Sequence, residues 1–303
     1  MADILAIMRT ETNIQQKGSA QIPNGEDKRA RKQDKEMKII ERRLTGKQSQ
    51  EACEDGIVAT NDFVAVIDGS TSKTPKRISE DMKNGRYAML LIGKYIAQMP
   101  AQTSLTEFCT GITGTISDIY CSKGFDLQQL SRNPQERITA SAVIYSKYYN
   151  EIWMVGDCLC MVDGKLYENS KPYEDVLAER RATIIRESDN KEKFFIHDSA
   201  RDAIIPDMLR AMQEQNKTYA VIDGFPIQQD KIKVVKVSAD TQEVVLASDG
   251  YPFLCPTLAE SEARLKEQIV RDPLNINTFK ATKGMMTGNL SFDDRAYIRF
   301  SIA

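Results

Sequence analysis

The chain has 303 residues, a formal net charge of −2, 41% apolar residues and 28% charged residues. This length can bury a substantial core as one large domain or at most two, and we expect one. The near-neutral charge argues against a general nucleic-acid binder, and no apolar run approaches the roughly 18 residues of a membrane span. A single histidine and six cysteines without a Cys-x-x-Cys pair exclude the usual tetrahedral zinc sites. We therefore expect a soluble protein of the reducing cytoplasm.

The start of the chain carries little pattern. Residues 1–11 contain only a short apolar patch after Asp3, which does not make a signal peptide. Residues 1–36 have little periodicity and a charged stretch at 26–32, so we expect a solvated, disordered tail rather than a basic binding arm. A strand-like run begins at Met37, which could also be the native start. The predicted functional domain is 37–303.

Within this domain, strand-like and helix-like patterns occur in separate blocks. In chain order they predict a strand at 38–43, a hairpin of 56–59 with 62–67, helices at 78–99 and 105–121, a hairpin of 139–145 with 152–155, a ribbon of 160–162 with 165–167, helices at 173–186 and 200–215, a hairpin of 232–237 with 243–247, a helix at 256–272 and a closing strand at 295–302. Because the strands come mostly in antiparallel pairs, the pattern favours a layered α+β fold.

Acidic residues recur just outside the apolar β-like runs. They are Asp68, Asp157, Asp249 and the pair Asp293-Asp294. Strands that end at one edge of a sheet can pool such carboxylates, which repel one another unless a cation or a proton compensates them. In the first hairpin, residues equidistant from the turn face each other, so Glu54 and Asp55 should lie beside Asp68. An all-oxygen site suits a hard cation, and substrate phosphate with retained water favours Mg²⁺ or Mn²⁺ over Ca²⁺.

Asp-Gly is above all a turn signal, so an Asp-Gly dipeptide on its own indicates a turn rather than a metal ligand. We interpret Asp163 as a hairpin turn, and Asp223 as a turn too, because Asp223 has no acidic partner nearby in the sequence. Asp68 differs from these two residues because Glu54 and Asp55 lie across the hairpin from it.

Taken in order, these motifs resemble the protein phosphatase 2C (PPM) family of metal-dependent serine/threonine phosphatases, in its bacterial type. The motifs are Glu54-Asp55, the run 63–69, Thr139-Ala140-Ser141, Gly156-Asp157, the run 245–250 and the run 291–294. Together they span 38–303. The resemblance implies a four-layer α-β-β-α sandwich with two central antiparallel sheets and a metal cleft at one edge.

The resemblance also implies roles for the acidic residues. Asp68 would bridge two metal ions, with the Gly69 carbonyl and Glu54 on one of them. Asp249 and Asp293, taken in preference to Asp294, would serve the other. Asp55 would hold metal-bound water. Asp157 would support the site or a weaker third metal, or it is a strand-end Asp satisfied by backbone amides.

The implied activity is hydrolysis of phosphoserine and phosphothreonine in a phosphorylated protein by water activated at Mg²⁺ or Mn²⁺. No nucleic-acid or membrane partner is expected. Two departures favour an alternative, a catalytically weak or inactive binding or signalling module: Ser70 follows Asp-Gly where eukaryotic members have a histidine, and Gln50 stands where a phosphate-binding arginine is expected. Arg43 and Lys47 are candidates to replace that arginine. A hydrolase of small phosphate esters on the same centre is a third possibility.

Overall fold

The computed structural model describes residues 36–302. The predicted tail therefore lies outside the described residues, except for Glu36. The strands are β1 Met37–Thr45, β2 Asp55–Ala59, β3 Phe63–Gly69, β4 Ala140–Ser146, β5 Glu151–Val155, β6 Leu159–Val162, β7 Lys165–Tyr167, β8 Lys233–Lys236, β9 Glu243–Ala247 and β10 Arg295–Ile302. The helices are α1 Asn84–Ala97, α2 Leu105–Ser122, α3 Leu127–Arg132, α4 Glu174–Arg186, α5 Lys193–Ile196, α6 Ser199–Met212 and α7 Leu258–Arg271.

The strands form two five-stranded antiparallel sheets, in the orders β1-β10-β9-β6-β7 and β2-β3-β4-β5-β8. β3 shows why both faces of a sheet are buried here. Val64 and Val66 pack in the apolar core shared with the other sheet, whereas Ala65 and Ile67 pack with α1 and α2. Successive side chains of a strand point to opposite faces, so this run of apolar residues serves two layers at once.

A third apolar cluster joins the outer face of the other sheet to the region of α7. Val245 and Tyr297 of that sheet pack there with Leu265 of α7. The order of layers is therefore helix, sheet, sheet, helix, and the predicted α+β four-layer sandwich is confirmed. Among residues 36–302, the helices are all too short or too polar to cross a membrane.

The predicted hairpin of 232–237 with 243–247 is wrong. β8 pairs with β5 in one sheet, whereas β9 pairs with β10 and β6 in the other. Val235 and Val244 nevertheless share the core between the sheets. The two runs have the same alternation because they face that core from opposite sides, and the chain between them passes from one sheet to the other.

The first predicted helix begins later than expected, at Asn84 rather than at residue 78. The Asn84 side chain accepts a hydrogen bond from the Ile78 amide at 3.0 Å and donates to the Lys76 carbonyl at 3.0 Å. These bonds replace helical bonds and hold the preceding segment in an irregular conformation.

Candidate active site

Five of the seven predicted site residues line one cleft at the edge of the sheets. They are Asp68, Gly69, Asp157, Asp249 and Asp293. Asp68 lies near the end of β3, Asp157 and Asp249 follow β5 and β9, and Asp293 precedes β10. The other two, Glu54 and Asp55, are buried, with 1% and 2% of their surfaces exposed. The predicted register is confirmed, because Asp55 pairs directly with Asp68.

Asp68 and Asp249 are carboxylates of the cleft that form no direct ion pair within residues 36–302, although the charge of Lys283 acts on both from a greater distance. Within the described residues, neither makes an ion pair or a side-chain hydrogen bond. Burial raises the pKa of Asp68 well above its ordinary range, and the negative charges of Asp249, Asp55 and Asp157 raise it further. Such a cluster retains its charge only when a cation compensates it.

Asp55 is the buried carboxylate on β2 that lies opposite Asp68. Burial raises its pKa to about 7, and the charges of Asp294 and Asp249 add to the shift, while a hydrogen bond with Ser248 opposes it. One oxygen of Asp55, Oδ2, and one of Glu54, Oε1, are buried without a hydrogen-bond partner. A buried oxygen without a partner is energetically costly. Each of these two oxygens therefore has lone pairs available to bind a cation or a water molecule.

Asp293 and Asp294 have different environments. Asp294 accepts hydrogen bonds from the backbone amides of Lys47 (2.7 Å) and Glu54 (3.1 Å), so it ties the start of β2 to β10. Asp293 instead carries two ammonium partners, Lys47 at 3.0 Å and Lys283. Asp293 thus pairs with two lysines and accepts one backbone amide, that of Asp294, whereas Asp294 accepts two backbone amides and also pairs with Lys47 at 3.4 Å.

Asp157 is satisfied by side chains and not by backbone amides alone. The Ser141 hydroxyl donates to its Oδ1, and the Lys171 ammonium pairs with its Oδ2. Burial by itself would raise the pKa of Asp157, but the charge and hydrogen bond of Lys171 hold it well below its usual range. Its ionised form is therefore compensated within the chain.

These donors suit a hard divalent cation by their chemistry. Asp68 and Asp249 supply carboxylates that form no ion pair within the described residues, and Glu54 and Asp55 supply buried oxygens without partners. Within residues 36–302, no three Asp, Glu, His or Cys side chains converge as a metal-binding group. The residues therefore fit a divalent cation by the chemistry of their oxygen atoms. The charge of Asp293 is already balanced by Lys47 and Lys283.

Sequence reasoning missed most of the cations of the cleft. Lys73, Lys171, Arg201 and Lys283 line it together with Lys47. Arg201 comes from α6 and Lys283 from the chain between α7 and β10. Segments so distant in the sequence share no periodicity, and no local pattern marked these residues. Arg43, the other candidate for the missing arginine, bonds Thr45 on an exposed part of β1.

Both predicted turns are confirmed. Asp163 and Gly164 join β6 to β7 with positive φ, 45° and 80°, the backbone of a tight hairpin turn. Asp223 precedes Gly224, whose φ is 84°, and its carboxylate accepts from the Phe225 amide while pairing with the buried Arg137. Neither carboxylate belongs to the cleft.

Comparison with known proteins gives structural matches alone. No protein-family model matches the chain, and no curated protein matches its sequence. The catalytic domain of the serine/threonine phosphatase PstP, solved with two manganese ions, is 15% identical and has a TM-score of 0.45, with 88% of this chain and 98% of that one covered. PppA, described as a regulatory component of T6SS in Pseudomonas aeruginosa, is 12% identical, with a TM-score of 0.46 and coverages of 88% and 98%.

A third match is the serine/threonine phosphatase Stp1 from Staphylococcus aureus. It is 13% identical, with a TM-score of 0.40, and the alignment covers 93% of this chain and 100% of that one. PstP and Stp1 are both serine/threonine phosphatases.

Proposed function

We propose that this protein is a metal-dependent phosphatase that removes phosphate from phosphoserine and phosphothreonine in proteins. The observation that carries the proposal is that Asp68 and Asp249, which form no ion pair within the described residues, lie in a cleft that also holds several cations and that their charges repel each other. Carboxylates without a counter-charge are suited to hold a divalent cation, and lysine and arginine are suited to hold phosphate.

Each predicted ligand has a role in this proposal. Asp68, Asp249 and the Gly69 carbonyl would hold the cation, and Asp293 would join them in exchange for its lysine partners. Glu54 and Asp55 would supply their buried oxygens to the cation or to its water. A divalent cation bound there would lower the pKa of a water molecule and neutralise phosphoryl oxygens. Asp157 is held by Ser141 and Lys171 and would keep the Lys171 ammonium in place at the edge of the site.

The test is hydrolysis of p-nitrophenyl phosphate and of a phosphothreonine peptide with Mn²⁺, with Mg²⁺ and with EDTA. We expect turnover with at least one of the two metals and none with EDTA. Turnover that persists in EDTA would disprove the metal requirement. Hydrolysis of p-nitrophenyl phosphate without hydrolysis of the peptide would instead favour a hydrolase of small phosphate esters.

The alternative function, a binding or signalling module without turnover, has one observation in its favour. Lys47 and Lys283 both pair with Asp293, so the chain itself supplies the positive charge that a second metal would bring. In that case the two lysine ammonium groups neutralise Asp293 permanently, and no second metal ion binds there.

The variant Lys283→Met separates the two functions. If Lys283 competes with metal for Asp293, its loss should tighten Mn²⁺ binding by about tenfold, because a like charge leaves the site. Isothermal titration calorimetry measures this affinity, and Lys94→Met, on an exposed position of α1, is the matched control. An absence of Mn²⁺ binding in both the wild type and Lys283→Met would support the module without turnover.

A further inference from the structure

Two cations of the cleft have no carboxylate partner. Within residues 36–302, neither Lys73 nor Arg201 forms an ion pair, whereas Lys47, Lys171 and Lys283 in the same cleft each do. Lys73 belongs to the loop after β3 and Arg201 to the first turn of α6, so the two charges come from distant segments of the chain. Partly buried cations without counter-charge are unfavourable unless an anion binds.

Both side chains are nevertheless held in place. The Lys73 ammonium donates to the Ser70 hydroxyl at 3.1 Å and to the Thr71 carbonyl at 2.6 Å. The Arg201 guanidinium donates through Nη1 to the carbonyl and the hydroxyl of Thr282, and the Arg201 amide donates to Asp198 at 2.9 Å. The groups that the ammonium and the guanidinium contact are neutral. Asp198 and Asp202 act on Arg201 only from a distance, without an ion pair to it within the described residues.

Donors remain free for a ligand on both cations. An ammonium group has three N–H bonds, and Lys73 uses two of them. A guanidinium has five, and within the described residues only Nη1 of Arg201 donates. A phosphoryl group offers several oxygens that accept from such a fork and from an ammonium together.

The two cations also repel each other. Burial lowers the pKa of Lys73 to about 7, and among the neighbouring charges that lower it further Arg201 contributes most, followed by Lys283 and Lys171. Both side chains line the same cleft, so this repulsion acts across it. A dianion between them would remove the repulsion and favour the charged ammonium.

We propose that Lys73 and Arg201 together form the site that binds the phosphoryl oxygens of the substrate. They take the place of the arginine that is missing at Gln50, and neither Arg43 nor Lys47 is needed for it. This inference rests on the proposed phosphatase function for the identity of the ligand, a phosphate monoester or the free phosphate released from it.

The first test measures binding without turnover. Inorganic phosphate is titrated into the metal-free protein in EDTA by calorimetry, for the wild type, Lys73→Met, Arg201→Met and the double variant. We expect each single variant to weaken phosphate binding at least about tenfold, which is the usual size of the loss of a charge-assisted hydrogen bond. Lys73→Arg and Arg201→Lys keep the charge and should retain part of the affinity.

Matched controls are Lys94→Met and Arg132→Met, which remove the same charges from exposed positions of α1 and α3. Thermal unfolding shows whether each variant is folded. Equal loss of phosphate binding in the controls would mean that only the net charge matters, and unchanged binding in both cleft variants would overturn the site.

The second test separates this inference from the proposed function. With active protein, Arg201→Met should raise KM for the phosphothreonine peptide more than it lowers kcat. If the wild type shows no hydrolysis but its phosphate binding depends on Lys73 and Arg201, the anion site stands and the phosphatase function fails. If hydrolysis occurs and both KM and phosphate affinity are unchanged in the variants, the function stands and the anion site fails.

Discussion

Asp68→Asn should abolish metal-dependent hydrolysis and, at the same time, stabilise the metal-free protein. The loss of rate should reach about 10³-fold, since a group placed at the reacting charge is removed. The gain in stability should be on the order of 1 kcal/mol at pH 8, because Asn keeps the shape of Asp68 but no longer repels Asp249 and Asp55. A residue needed only for folding would show a loss of stability instead.

The sign of the pH dependence follows from the raised pKa values. Burial and like charges raise the folded-state pKa of Asp55 to about 7 and that of Asp68 well above its ordinary range. The folded state therefore binds protons more tightly than the unfolded state, whose Asp pKa is about 3.9. Stability from these groups is fully present below about pH 4 and is lost as the pH rises through the folded pKa values.

Urea unfolding in EDTA at pH 5 and pH 8 measures this effect. Other groups titrate in the same range. Glu174, whose pKa is raised to about 8 by burial, contributes with the same sign, and Lys73, whose pKa is lowered to about 7 by burial, contributes with the opposite sign. The difference between the wild type and Asp68→Asn cancels those contributions. We expect the fall in stability between pH 5 and pH 8 to be smaller in Asp68→Asn, and Asp81→Asn, at an exposed position, should behave like the wild type. Identical pH dependence in wild type and Asp68→Asn would contradict the proposed repulsion.

The part of the site that the sequence predicted is the part that short-range geometry determines. The hairpin of β2 and β3 turns over a few residues, so its register follows from the turn and places Asp55 opposite Asp68. The alternation within β3 likewise follows from burial on two faces. Strand ends and hairpin partners are local features, so the sequence alone predicts the acidic residues that they carry.

What the sequence could not predict depends on contacts between distant segments. The apolar runs of β8 and β9 have the alternation of a hairpin, and only the packing of two sheets assigns them to different ones. Lys73, Arg201 and Lys283 reach one cleft from a loop, a helix and the chain before β10. No period relates their positions, so their shared charge becomes visible only in the fold.

The largest expected loss of stability outside the cleft comes from Arg181→Met. Arg181 is fully buried in α4, and its Nε donates to Asp198 at 2.9 Å. Its Nη1 donates to the carbonyls of Leu274 at 2.8 Å and Ala281 at 3.1 Å. One side chain therefore joins α4, the start of α6 and the segment that leads to the cleft.

Removing the guanidinium leaves a buried carboxylate and two carbonyls without this partner, which should cost about 3–5 kcal/mol of unfolding free energy. The neighbouring variant Arg180→Met is the control, because Arg180 is 54% exposed in its pair with Asp207 and its loss should cost about 1 kcal/mol or less. Urea unfolding measures both values. Equal losses in the two variants would contradict the assigned role of Arg181.

The same variant links stability to the anion site. Asp198 accepts from the Arg201 amide, and Arg201 in turn bonds Thr282, one residue after the carbonyl that Arg181 holds. Where Arg181→Met remains folded, phosphate affinity should fall even though the substituted residue lies outside the cleft lining. The double variant Arg181→Met with Asp198→Asn should be less destabilised than the sum of the single variants, because it removes the unpaired buried charge. Unchanged phosphate affinity in folded Arg181→Met would mean that Arg201 is positioned by α6 alone.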